Sequence, residues 1–402
     1  MIKKFIDSIK YLKIKDFLAI FIFIILLIPA MIFKLMNKLK KKEIWLVCEH
    51  KDTARDNGYH FFKYMREEHP DENVYYAINT KSTDYKKIEK YGNIIEFGSI
   101  KHWIYYLAAN KNISSQKSGN PSAPLFYVLH VYLNLFNNRV FLQHGITKDD
   151  ADFLHYKNTK YKKFICGAKK EFDYVNNKKI YGYPKGNVIY TGLARFDNLH
   201  NNKINNKQIL IMPTWRSWLG RETNALNQDG DFCETDFYKS WNSLLNDKKF
   251  NNFINEENIT VYFYPHYNMK RYLKYFNLKN KNIKVVDNSM IDIQTLLKES
   301  PLMITDYSSV YMDFAYMKKP LIYYQFDKEE YRKRQYVEGY FNYERDGFGE
   351  VIKDSKNVVN KIIKYVKNNY KVESKYQKRM DEFYPLHDQN NCKRIYEEIK
   401  KW

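Results

Sequence analysis

Cysteine is scarce. Cys48, Cys166, Cys233 and Cys392 are the only four in the chain and lie far apart, so no pair has redox or metal-ligand spacing. A disulfide framework is excluded, and a reducing, cytosolic setting fits the bulk of the chain. Internal repeats and low-complexity tracts are also missing, which removes solenoids and arrays. Acid is in short supply: 46 Asp+Glu stand against 67 Lys+Arg, a formal charge of +21. That excess favours anionic partners such as phosphates, nucleotides or acidic lipid surfaces. The lysines are scattered rather than gathered in a tail, so the charge alone singles out none of these.

One almost wholly apolar stretch, "FLAIFIFIILLIPAMIF" from Phe17 to Phe33, carries no charge over 17 residues. At about 1.5 Å of rise per helical residue it sits near the lower limit for crossing a bilayer. No small-residue cleavage site follows it, so it does not read as a signal peptide. Lysines flank it on both sides, with Lys3, Lys4, Lys10, Lys13 and Lys15 before it and Lys34, Lys38 and Lys40 to Lys42 after it. The positive-inside rule therefore gives no orientation. A single span and a segment kinked at Pro29 that returns to the same face both remain open, as does a buried soluble helix. The expected location is the cell membrane, with the catalytic domains on its cytoplasmic face.

From Lys42 onward short apolar runs alternate with longer amphipathic stretches. Strands are expected at 44–49, 74–79, 93–98, 112–115, 140–144, 163–168 and 187–192 in the first half. In the second half they fall at 208–215, 260–266, 283–287, 302–306 and 320–327, with helical stretches between several of them. Alternation of this kind builds βαβ units and a mostly parallel sheet. The Asn-rich segment "HNNKINNK", 200–207, reads as a linker. The expected organisation is a membrane-anchoring segment over 1–42, a Rossmann-like domain over 43–200, and a second Rossmann-like domain over 201–402 that keeps the C-terminal helices. The two α/β domains are expected to face a central cleft.

Four strands end in chemistry-bearing residues: "FLQHG" with His144, "LIMPTWR" with Arg216, "VYFYPH" with His266, and "LMITDYSS" with Asp306, Ser308 and Ser309. Ligands of open α/β sheets bind at strand carboxyl ends. Thr305 or Asp306 can cap a helix starting near Ser308, whose N–H groups and dipole suit phosphate. A capped helix without a ligand is the plainer reading of that segment. Arg216 suits bidentate phosphate contact, against the alternative of a solvated arginine. A lone histidine is more often structural; two, one per domain and each ending a strand, point to acid–base or phosphate-stabilising work.

The order HG…PTWR…PH…TDYSS…DFA…P…D, followed by "RQYVEGYFNYERDGFGEV", resembles the CDP-glycerol:poly(glycerophosphate) glycerophosphotransferases of teichoic acid and capsule synthesis. The likeness runs from about Arg139 to the C-terminus and is most specific over Ile304–Tyr340, with His144-Gly145 and Pro265-His266. It implies a GT-B fold and transfer of an alditol phosphate from CDP-glycerol or CDP-ribitol, with release of CMP. The acceptor it implies is a hydroxyl of a polyprenyl-linked saccharide or polymer. On this resemblance His144 is the general base and His266 contacts the donor's phosphates. Arg216, Ser308 and Ser309 hold the pyrophosphate, Thr305 is a further donor-binding residue, Asp306 orients the site and Asp327 touches the donor. That makes 43–200 the acceptor-side domain and 201–402 the CDP-donor-binding domain. Family members often read HGTPLK where this chain reads "HGITKDDADF", so the loop beside the base differs. The large N-terminal acceptor domain of the long polymerases has no counterpart before the first domain.

A hydroxyl attacking phosphorus must lose a proton, and the departing CMP must have its charge neutralised. No D-x-D element stands where a metal-bridged donor needs one, so neither a metal nor a cofactor is expected; Asp149, Asp150 and Asp152 are the carboxylates from which a metal site could be built. An anionic membrane surface then becomes a natural partner for the basic chain, because anchoring raises the local concentration of a lipid-linked acceptor. Two other readings stay open: a GT-B glycosyltransferase using a nucleotide sugar, and a basic membrane-bound protein without catalysis. Aromatic content of 17% with positive charge also suits nucleic acid, but most Tyr and Phe sit in apolar strands and amphipathic helices, so no nucleic-acid partner is expected.

Overall fold

The computed structural model describes residues 14–220, 229–287 and 290–402, so the basic flank Lys3, Lys4, Lys10 and Lys13 lies outside the described residues. Two compact units result. One comprises 1–144, 152–198 and 388–402; the other comprises 145–151 and 199–387.

The first unit opens with α1 (Ile14–Leu39), which runs without interruption through Pro29. Then come β1 (Ile44–Val47), α2 (Asn57–Glu68), β2 (Asn73–Ile78), β3 (Ile94–Glu96), α3 (Ile100–Ala108), β4 (Lys111–Ser114), β5 (Arg139–Phe141), β6 (Lys163–Cys166) and β7 (Val188–Tyr190). Its seven strands, in the order β3-β2-β1-β4-β5-β6-β7, pair parallel throughout. Alternation along β1 shows why the sheet is covered on both faces. Ile44 and Leu46 join one buried cluster with Ala19, Leu26 and Ala30 of α1 and Trp103 and Leu107 of α3. Trp45 and Val47 join another with Phe61, Phe62 and Met65 of α2.

The second unit contains β8 (Gln208–Met212), β9 (Thr260–Phe263), β10 (Ile283–Val285), β11 (Met303–Thr305), α4 (Tyr311–Tyr316), β12 (Leu321–Tyr324), β13 (Gly349–Ile352) and α5 (Ser355–Lys367). Its six strands, ordered β10-β9-β8-β11-β12-β13, are again all parallel. Every strand expected from the sequence forms. Strand β13 was not anticipated, because "GEVI" is short, begins with glycine and carries a charge. It fits at the edge because a Cβ on Gly349 would lie 2.1 Å from the Leu321 carbonyl oxygen.

The last helix, α6 (Asn391–Lys400), corrects one expectation, since it belongs to the first unit and not to the donor-binding half. Its apolar stripe Cys392, Ile395 and Ile399 is buried in the cluster built on Trp45 and Phe61. Asp197 accepts from the backbone N–H of Asn391 (2.8 Å) and of Cys392 (2.8 Å), closing the helix start. Gly192, at φ +82, leaves room for the Asn391 side chain, which a Cβ there would strike. Position in the sequence assigned this helix to the wrong half; its stripe decides where it docks.

Candidate active site

Strand β5 stops at Phe141, and Gln143 turns the chain through φ 61°, a left-handed conformation rare for a residue with a side chain. Gln143 holds that strain because its buried amide donates to the Ile165 carbonyl (2.6 Å) and to Glu171 Oε1 (2.9 Å). The next residue, His144, is thereby turned outward, with 70% of its side chain exposed.

Its Nδ1 lies 2.6 Å from Asp56 Oδ2. Asp56 stands at the N-cap of α2, where its Oδ1 accepts from the Asn57 N–H (2.8 Å). Arg195 Nη1 donates to the same Oδ1 (2.9 Å) and to the His144 carbonyl (2.8 Å). Asn57 completes the frame, donating to the Gln143 carbonyl (2.8 Å) and accepting from the Arg195 N–H (3.0 Å). The Gln116 Nε2 lies 2.9 Å from Nδ1 and donates to Asp56 Oδ2 (3.5 Å). Behind Asp56, the buried Glu49 accepts from the N–H groups of Arg55 (3.1 Å), Asp56 (2.9 Å) and Tyr59 (2.8 Å). Burial, then the Asp56 charge, pushes the Glu49 carboxyl up to about 7.

The Asp56 carboxylate raises His144 above the ordinary imidazole range. Burial works to raise Asp56 in turn, but His144 and Arg195 outweigh it and leave that carboxyl below its usual range. A carboxylate facing Nδ1 selects the tautomer with the proton on Nδ1 and leaves the Nε2 lone pair as the basic nitrogen.

In the second unit His266 caps the 3₁₀ segment Tyr267–Tyr275, and its Nδ1 accepts from the Asn268 N–H (3.2 Å). An accepting Nδ1 puts the proton of a neutral ring on Nε2, the opposite tautomer to that of His144. Trp215 stacks beside this ring at 5.9 Å. Gln335 fixes the Trp215 loop, donating to the Trp215 carbonyl (3.2 Å) and accepting from the Ser217 N–H (2.9 Å).

The other residues expected to bind donor divide sharply. Arg216 is fully buried. Its guanidinium donates to Asp327 through Nε (2.7 Å) and Nη2 (3.0 Å) and to the Thr214 carbonyl (2.8 Å), and forms an ion pair with Asp306 (2.8 Å). Tyr307 and Tyr331 stack on each other at 3.7 Å and flank it. One fully buried guanidinium thus faces two buried carboxylates, so Arg216, Asp306 and Asp327 form an internal ionic cluster and not a phosphate clamp. Asp306 Oδ1 also accepts from the Thr214 N–H (2.8 Å) and the Tyr307 N–H (2.7 Å), joining the ends of β8 and β11. Thr305 is buried, with its hydroxyl on the Met212 carbonyl (2.7 Å). Neither residue caps a helix: α4 starts at Tyr311, after Val310, and has six residues. Ser308 and Ser309 are half-buried in the turn before it. Pro265 is buried and Gly145 half-buried.

The divergent loop after His144 is anchored in the second unit by Arg332 and the segment 334–351. Asp149 pairs with Lys148 and with Arg332 (2.5 Å), Lys148 sits over the Tyr343 ring, and the Asp150 N–H donates to the Val337 carbonyl (3.1 Å). Gly339 is required by this contact, because a Cβ there would lie 2.6 Å from the Lys148 carbonyl oxygen. Asp152 pairs instead with Lys157 (2.7 Å). Among the described residues no three His, Cys, Asp or Glu side chains gather as metal ligands do.

The expected residues thus include both histidines at exposed strand ends, while Asp56, Arg195, Asn57 and Gln116 were missed. Asp56 carries only the signal of an ordinary helix cap, and Arg195 lies in a short 3₁₀ segment with no motif around it.

Comparison with known proteins widens the resemblance. The family model for CDP-glycerol:poly(glycerophosphate) glycerophosphotransferase matches residues 30–401, so the likeness begins well before Arg139. The minor teichoic acid biosynthesis protein GgaB of Bacillus subtilis is 35% identical over 379 residues, 93% of this chain but 41% of that protein. The teichoic acid poly(glycerol phosphate) polymerase of Bacillus spizizenii is 24% identical over 413 residues, 92% of this chain and 96% of that one. The chain therefore spans less than half of one such relative and nearly all of another. Among solved structures, the wall teichoic acid polymerase TagF superposes with a TM-score of 0.63 at 16% identity, over 93% of this chain and 97% of that one. The MnaA–UDP co-structure from S. aureus gives a TM-score of 0.53 at 13% identity, over 90% and 96% of the chains. These structural likenesses carry the fold, and with the two parallel sheets they make it GT-B. The match across both units shows that the chain belongs to the CDP-glycerol:poly(glycerophosphate) glycerophosphotransferase family.

Proposed function

We propose that the chain transfers glycerol phosphate, or a similar alditol phosphate, from a CDP-activated donor to a hydroxyl of a teichoic acid acceptor, releasing CMP. The observation that carries the mechanism is the Asp56–His144 contact of 2.6 Å on an outward-facing imidazole. His144 Nε2 removes the acceptor hydroxyl proton as that oxygen attacks the donor's distal phosphorus. The new bond is acceptor oxygen to phosphorus; the bond that breaks joins that phosphorus to the bridging oxygen, which leaves with CMP. His266, with its proton on Nε2, donates to phosphate oxygen and offsets the charge that builds up on departure. Ser308 and Ser309 add hydroxyl donors for the pyrophosphate. The buried Arg216 triad joins the ends of β8 and β11, and β11 leads into Ser308 and Ser309. A TagF structure obtained after a CDPG soak supports a donor of this chemistry.

The acceptor is polymeric or lipid-linked, and the membrane is where the enzyme meets it. Helix α1 supports this reading. Its Ala19, Leu26 and Ala30 are buried on the first unit, and Phe23 and Phe33 contact Phe136 and Tyr105. The opposite face exposes Phe17, Phe21, Ile24, Ile28 and Leu35, an apolar surface for lipid, with Lys34 and Lys38 placed for anionic headgroups on a membrane whose cytoplasmic side the enzyme serves.

Full-length protein in vesicles is offered labelled CDP-glycerol, CDP-ribitol or a UDP-sugar, and nucleotide release and acceptor labelling are followed. CMP release from a CDP-alditol is expected, falling about 10²–10⁴-fold in His144→Ala and His266→Ala with the fold intact. Turnover of the UDP-sugar alone would make it a glycosyltransferase, and no turnover of any donor would leave a binding protein.

A further inference from the structure

We propose that Asp56 and Arg195 are positioning residues for His144: Asp56 accepts the imidazole Nδ1–H, and Arg195 holds the other carboxylate oxygen, so that the proton taken from the acceptor is stabilised on Nε2. This deepens the base role given to His144 above and rests on it.

Three observations converge on this arrangement. The two Asp56 oxygens have different work, Oδ2 meeting the imidazole at 2.6 Å and Oδ1 meeting Arg195 at 2.9 Å and the Asn57 N–H at 2.8 Å. The acid and the arginine are sheltered, with side chains 10% and 8% exposed, while the histidine they hold is 70% exposed. A carboxylate buried only to cap a helix has no need of a guanidinium. Finally, Arg195 grips the His144 carbonyl (2.8 Å), and Asn57 ties Arg195 back to Gln143. Ring, carboxylate and the strained residue before the ring are therefore one rigid assembly.

The proton balance is simple. His144 gains the acceptor's proton on Nε2 and becomes an imidazolium paired with an ionised carboxylate. Asp56 takes up no proton, and the imidazolium loses its own to solvent before the next turnover. The other ionisable groups around the ring are Glu49 and His50 from the loop after β1; His50 Nδ1 is 2.8 Å from Ser118 Oγ, and partial burial, then His144, holds it below the ordinary imidazole range.

The test uses the full-length enzyme and reads both the ring and the reaction. Nitrogen NMR of isotope-labelled histidines, with His144→Gln to assign the signal, is expected to show a proton on Nδ1 at high pH and titration above the ordinary imidazole range. The kcat profile should lose activity as pH falls through that raised value, because the base must be neutral. In Asp56→Asn the attraction is gone, so titration and the acid limb both move to lower pH. The plateau of kcat falls about 10²–10³-fold while KM for donor stays within about twofold. Arg195→Lys, which keeps the charge, should retain more activity than Arg195→Gln. A wild-type ring protonated on Nε2, or an Asp56→Asn enzyme with unchanged kcat and pH profile, overturns the proposal. If Asp56→Asn does not fold, the wild-type NMR measurement still decides it. Full turnover in His144→Ala would instead defeat the base role, a separate failure, since it leaves the ring measurement untouched.

Discussion

Replacing Arg216 with methionine separates a structural arginine from a donor-binding one. The substitution keeps most of the side chain's length and removes its charge, leaving Asp306 and Asp327 facing each other without compensation. Both carboxylates are buried, so water cannot replace the lost guanidinium. Removing one partner from a buried ionic cluster costs about 3–5 kcal/mol, because the remaining charges keep their desolvation penalty. Against a total stability of roughly 5–15 kcal/mol that is a large fraction. At about 2–4 °C per kcal/mol for a unit of this size, the second unit's transition should fall by roughly 6–20 °C. Trp241, buried in that unit's core, gives a fluorescence change in urea or thermal denaturation, isolated from that of Trp45 and Trp103 in the first unit by comparison with a Trp241→Phe protein. Donor KM measured well below the new transition should change little. An Arg216→Met protein with wild-type stability and a KM for donor raised tenfold or more would refute the reasoning and return Arg216 to the phosphates.

Two further outcomes follow from burial. Ile395→Ala should destabilise the first unit by about 2–5 kcal/mol although it lies near the C-terminus, because it opens a cavity beneath β1; chemical denaturation checks this. On the proposed membrane role, Ile24→Glu with Ile28→Glu should remove two exposed apolar side chains worth roughly 1.5–3 kcal/mol each, and so weaken binding to anionic vesicles about 10²–10⁴-fold in a flotation assay.

The fold was largely legible because parallel strands covered on both faces announce themselves as near-continuous apolar runs. "IWLV" and "LIYY" need no neighbour to be recognised. What escaped depends on contacts made over long separations. Strand β13 lies inside a segment of turns and charges, and it pairs with β12 because Gly349 lets the backbones approach. Helix α6 shows an ordinary amphipathic stripe, which says that it docks and not on what. Arg216 is the harder case. A strand-end arginine reads the same whether it meets a ligand or two internal acids, and only burial tells them apart.

The same limit explains why His144 could be found and its partners could not. Its signal is local, an apolar strand ending in polar residues, and the left-handed Gln143 that aims it is set by side-chain bonds to Ile165 and Glu171. Asp56 is 88 residues away in sequence and follows β1, which is separated from β5 by β4. At the ordinary strand spacing the loop must cross roughly 10 Å to reach the histidine. Glu49, by gathering three backbone N–H groups, gives that loop the shape it needs to do so. The buried Glu49 carboxyl thus helps set where Asp56 meets His144, and its placement follows from strand order, which no spacing in the sequence reveals.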